Sequence, residues 1–153
     1  MLVKYTTNCL KYICFILAIL TLSFPANSEL SVEEIIKERK ALFSKNYSTA
    51  KKVQNLASKG DFEKAKSLML EMSENYKILI DYFPENTKEG FKTEALPSIW
   101  ENKDEFNALM QKASDDMIKL AKAIDTAEDL RAVQKELMWG NCSSCHNRFR
   151  APH

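Results

Sequence analysis

Apolar residues recur along most of this chain at steps of three and four, the period of a helix buried on one side. The cleanest run is Phe62, Ala65, Met69, Met72, Tyr76, Leu79 and Phe83, a heptad seam stopped by Pro84. An earlier stripe contains Val32, Ile35, Ile36, Leu42, Phe43, Tyr47, Ala50, Val53 and Ala57. It predicts a helix that opens at the capping-box pattern Ser31-Val32-Glu33-Glu34 and ends at Gly60, with Asp61 placed to cap the next helix. A third seam begins near Ser98 and runs through Ile99, Phe106, Met110, Ala113, Met117, Leu120 and Ile124. A fourth helix is expected from about Thr126, capped by Thr126-Ala127-Glu128-Asp129 and continuing through Leu130, Val133 and Leu137. Between the second and third helices, residues 84–97 hold Pro84, Gly90 and Pro97 and read as a long crossing loop. The other two links are short and force antiparallel neighbours. The simplest closure is all-α, an antiparallel up-down four-helix bundle.

The first 28 residues follow another pattern. Lys4 and Lys11 give a basic leader, Ile13 to Phe24 is nearly unbroken apolar sequence, and Pro25 ends it. Ala26-Asn27-Ser28 then places small residues where a signal peptidase reads. Residues 1–28 are therefore expected to be a secretory signal peptide and 29–153 the mature domain, with an uncleaved N-terminal anchor as the alternative. The expected location is the periplasm. Loss of the leader removes two lysines and leaves 20 basic against 21 acidic side chains. No broad basic field remains to draw nucleic acid.

Cys9 and Cys14 leave with the leader, so Cys142 and Cys145 are the mature thiols. The sequence Cys142-Ser143-Ser144-Cys145-His146 is the C-x-x-C-H pattern of covalent haem attachment. On a helix, positions i, i+3 and i+4 share a face. Both thiols can then bond one haem while His146 serves as axial iron ligand from the same side. A redox C-x-x-C motif would want a βαβ setting, and zinc would want about four ligands. The cofactor implied is one haem c per chain, covalently bound at the C-terminal end of the bundle. Gly140, inside the last helix, is expected to permit close approach of haem or a neighbouring helix.

Taken together, these features resemble the class II cytochromes c, the cytochrome c' family, over essentially all of residues 29–153. The motifs that carry the resemblance are Ile35-Ile36-Lys37-Glu38-Arg39, then Ala95-Leu96-Pro97-Ser98-Ile99-Trp100 followed by Phe106, and the tail from Cys142 to Arg150. The resemblance implies a haem pocket that includes Arg39, Phe43 and Arg150. Arg39 either pairs with a haem propionate or is solvated. Arg150 either lies beside the haem on the histidine side or is a cation at a helix C-terminus. In low-spin members of the family, a methionine four residues after the first-helix arginine is the sixth ligand. Here that position is Phe43, and residues 29–60 contain no methionine. The resemblance thus implies five-coordinate iron under a phenyl cap, in a space expected to be dry. His153, past Pro152, is expected on the wrong side to ligate.

The expected function is binding of small gases, nitric oxide and carbon monoxide, with one-electron redox at the iron and no turnover chemistry. The alternative is a low-spin periplasmic electron carrier, reached if one of Met69, Met72, Met110, Met117 or Met138 meets the iron. A structural or sensor role is the third class. The redox partner protein is not specified by the sequence. The resemblance also implies a homodimer through the first two helices.

Overall fold

A computed structural model describes residues 29–152. The leader expected over residues 1–28 and His153 lie outside the described residues. Helix α1 spans Val32–Ser58 and opens with the expected capping box. Glu34 N–H donates to Ser31 Oγ, and Ser31 N–H donates to the Glu34 carboxylate at 2.8 Å. Its C-terminus closes through Gly60, whose φ of 74° suits glycine. Gly60 N–H reaches the Ala57 carbonyl and Asp61 N–H the Leu56 carbonyl, the paired bonds of a Schellman motif.

Helix α2 spans Phe62–Leu79 and tightens into a 3₁₀ turn over Ile80–Tyr82 before Pro84. Asp61 does not cap it; the carboxylate accepts from Lys64 Nζ at 2.8 Å instead. The third rod has two parts, α3 over Ser98–Glu101 and α4 over Lys103–Ala123, with the break at Asn102. The fourth rod comprises α5 over Leu130–Gln134, a π turn over Lys135–Trp139, and α6 over Gly140–Phe149. It starts later than the sequence suggests, because Asp129, and not Thr126, takes the cap bond from Ala132 N–H at 2.9 Å.

These four rods form the expected bundle, with α2 packed most extensively on α4 and then on α1. Ala65, Met69, Met72, Leu79, Met117 and Leu120 are fully buried along the predicted seams. Each large apolar side chain buried this way contributes about 2 kcal/mol. Helix α1 departs from its predicted stripe. Tyr47 is 54% exposed, and Arg39, Asn46 and Thr49 are buried in its stead. Asn75 Nδ2 donates to Asn46 Oδ1 at 2.8 Å, and the Ser73 and Ser114 hydroxyls pair at 2.8 Å. Polar pairing thus fixes α1 to α2 and α2 to α4 in one register.

The chain also closes on itself at one end of the bundle. Leu96 N–H donates to the Phe149 carbonyl, and Ala151 N–H to the Glu94 carbonyl, on either side of an antiparallel bridge between Ala95 and Arg150. The end of α6 is thereby tied to the crossing loop.

Candidate functional site

A cavity of about 580 Å³ opens between α1, α4 and α6. That size is within the usual range for cofactor sites. Helix α1 supplies Arg39, Phe43, Asn46 and Tyr47 to its wall; α4 supplies Phe106 and Met110; α6 supplies Cys142, Cys145 and His146. Tyr76 of α2 and Thr93 of the crossing loop complete much of the rest. The helical spacing of Arg39, Phe43 and Asn46 puts all three on the inward face of α1. Phe43 sits edge-on to Phe83, with ring centroids 6.3 Å apart.

Cys142 and Cys145 stand as free thiols, both half-buried. Cys142 Sγ donates to the Met138 carbonyl at 3.6 Å and accepts from the Tyr76 hydroxyl. Burial pushes the Cys142 thiol up; burial first, then neighbouring Cys142, pushes Cys145 up to about 11, against the opposing charge of Arg150. Burial and the adjacent Cys142 likewise raise the Tyr76 phenol above its ordinary range, so it remains a hydrogen-bond donor. Thiols used for disulfide exchange have depressed pKa values. This pair has the opposite environment, unlike that of a disulfide-exchange pair.

Arg39 is 2% exposed, so it is not solvated. Its terminal nitrogens donate to Thr87 Oγ1 at 2.9 Å, Thr87 O at 3.0 Å, Thr93 Oγ1 at 2.5 Å and Tyr82 O at 3.3 Å. Its guanidinium carbon lies 4.6 Å from the Phe83 ring centroid. Burial pulls its pKa down to about 10, which leaves it charged at neutral pH. Arg39 lines the cavity and also pins the crossing loop to α1. Arg150 is the capping residue just past the last residue of α6, in extended backbone. It lines the cavity near Cys145, and its Nε is buried without a hydrogen-bond partner.

Three residues of this region escape a sequence reading. Tyr76 puts a phenol into a wall expected to be dry apart from Arg39 and Asn46, which line it as well. Asn141 and Asp116 form a buried pair behind Cys142, with Asn141 Nδ2 donating to Asp116 Oδ2 at 3.0 Å. Burial pushes the Asp116 carboxyl up, but hydrogen bonds from Lys112, Asn141 and Lys119 outweigh it and hold the group below the ordinary carboxylate range. A depressed folded-state pKa adds stability above the unfolded value and loses it as pH falls. The stability gap between the native chain and Asp116→Asn should therefore shrink below about pH 4, measured by thermal unfolding. The only forewarning of this pair is the position of Asn141 next to Cys142. At Gly140 no neighbouring helix among the described residues comes close; a Cβ there would meet the Lys135 carbonyl of its own helix at 3.3 Å.

The bundle and its cavity define a c-type haem protein of the four-helix class. The family model described as Cytochrome C' matches residues 34–150, and the chain belongs to that family. It is similar to cytochrome c' of Rhodopseudomonas palustris, at 33% identity over 122 residues, which is 77% of this chain and 82% of the relative. A solved structure of cytochrome c' from Rhodopseudomonas palustris superposes with a TM-score of 0.63 at 30% identity, covering 77% of this chain and 96% of the other. A cytochrome c-556 of Agrobacterium tumefaciens is 28% identical over 90 residues, 59% of this chain and 72% of its own. Family membership gives the chain one covalently bound haem c, and the cavity beside the two thiols fits that group in size and chemistry.

Proposed function

We propose that Cys142 and Cys145 carry the haem through thioether bonds, that His146 is the axial ligand, and that the opposite face of the iron is left for small gases. Haem supplies a redox-active iron with affinity for diatomic molecules. Helix α1 walls the cavity with Phe43, whose ring excludes water and cannot ligate. That position is the single observation that carries the reading. Arg150 adds positive charge beside Cys145, and Arg39 holds the loop that closes the cavity. In this reading the protein is exported by residues 1–28 to the periplasm, binds nitric oxide or carbon monoxide, and exchanges single electrons without catalysing turnover. Half-exposed Leu70 and Ile78 on α2 give a homodimer contact apolar surface to use.

A second reading has one observation behind it. Met110 is the one described methionine that lines the cavity. A thioether bond from Met110 to the iron would make a low-spin electron carrier. The absorption and resonance Raman spectra of the purified protein decide. A five-coordinate high-spin ferric spectrum is expected; a low-spin spectrum with a methionine-to-iron charge-transfer band replaces gas binding with electron transfer. Phe43→Ala should speed carbon monoxide binding to the ferrous form, because the ring must move to admit it. Phe43→Met should shift the spectrum towards six-coordinate.

A further inference from the structure

The fourth rod changes its winding just before the cysteine motif. In the π turn over Lys135–Trp139, Gly140 N–H donates to the Lys135 carbonyl, five residues back. Such a turn contains one residue more than α winding and is frequent at functional sites. Here several contacts hold it. Glycine at 140 leaves room for the long bond, since a Cβ would stand 3.3 Å from the Lys135 oxygen. Asn141 Nδ2 donates to the Leu137 carbonyl, inside the turn, at 2.7 Å and to Asp116 of α4 at 3.0 Å. Lys112 Nζ donates to Asn141 Oδ1 at 3.2 Å. Asp116 is 1% exposed and Asn141 8%, so water does not compete for these bonds.

The extra residue sets a direction. At 3.6 residues per turn, one residue corresponds to about 100° of rotation. Relaxing the turn to α winding at constant chain length would rotate everything from Gly140 onward by about that angle relative to α5. With the turn in place, Cys142, Cys145 and His146 line the cavity. We propose that the π turn, locked by Asn141 against Asp116, aims the haem-attachment residues into the cavity, and that Asn141 is a positioning residue acting through the Leu137 carbonyl. This rests on the attachment set proposed above.

The test is made on protein exported from a host with haem-maturation machinery. Asn141→Leu should relax the turn, and the product should carry haem through one thioether bond or none, read by the pyridine haemochrome band and by mass. Deleting exposed Glu136 in that variant removes the extra residue and returns both ends of the rod to native register under α winding. Two thioether bonds and the native ferric spectrum should then return. Shortening the helix would not rescue an asparagine that touched the haem directly or merely supported the fold. Two thioether bonds and an unchanged ferric spectrum in Asn141→Leu overturn the inference, as does failure of the deletion to rescue. Should Asn141→Leu not accumulate, the Glu136 deletion alone decides: retained double attachment is expected, and its loss overturns the inference. If the unmutated protein carries no haem on Cys142 and Cys145, the attachment set itself fails, and this inference with it.

Discussion

Serine at both Cys142 and Cys145 should leave an exported chain with no covalent haem. These are the only cysteines in residues 29–153, and a serine hydroxyl forms no thioether. Mass spectrometry after acid-acetone extraction should show one haem mass on the native chain and none on the double variant. A haem mass that survives in the double variant would show attachment elsewhere. The helices should form in both proteins. The seams through Met69, Met72, Met117 and Leu120 bury against one another, and only Cys145 of the pair packs against that core. His146→Ala tests the third member separately. The sulfurs should still hold the haem while the ferric spectrum loses the signature of imidazole ligation, and far-UV circular dichroism should remain helical. Complete unfolding with haem attached would mean that the bundle depends on the iron bond.

Replacing Arg39 with leucine should cost about 3 kcal/mol. The variant leaves Tyr82 O, Thr87 Oγ1, Thr87 O and Thr93 Oγ1 without their charged donor, the two on Thr87 in a buried position. It also removes the cation held over Phe83. For a domain of this size the thermal midpoint should fall by roughly 10 °C. Arg39→Lys should recover only part of this, since one ammonium cannot span acceptors on both sides of the loop. Limited proteolysis should cut the Arg39→Leu protein faster within residues 84–97. An unchanged midpoint would show that the loop is held by other contacts. The reduction potential separates a clamp from a propionate partner. A clamp leaves it nearly fixed, while a lost ion pair to the haem would shift it.

How much of this could be read from the chain depends on the type of signal. The α2 and α4 seams were legible because large apolar residues at heptad spacing have one place to go. The cysteine motif was legible as a spacing, and the structure brings Cys142, Cys145 and His146 to one cavity wall. The burial along α1 was misread at Tyr47, which lines the open cavity and not the packed core, whereas Arg39, Asn46 and Thr49 are buried. Burial of those three depends on partners such as Thr87 and Asn75, which are remote in sequence and look like ordinary loop or surface residues. The π turn left one trace, Gly140, because a 3.6-residue template has no entry for a bond five residues back. The roles of Arg39 and Arg150 were uncertain for the same reason: a guanidinium declares its charge in the sequence but not its acceptors.

The pairing of residues 94–96 with 149–151 bears on the order of events during maturation. It joins segments more than 50 residues apart. Contacts of such separation form late, because the intervening loop must be closed first. Until they form, α6 lacks its backbone tie to the crossing loop. The tail then works as a clasp. On the attachment proposed above, a maturation enzyme that needs an unfolded C-x-x-C-H segment has its interval of access before the clasp shuts.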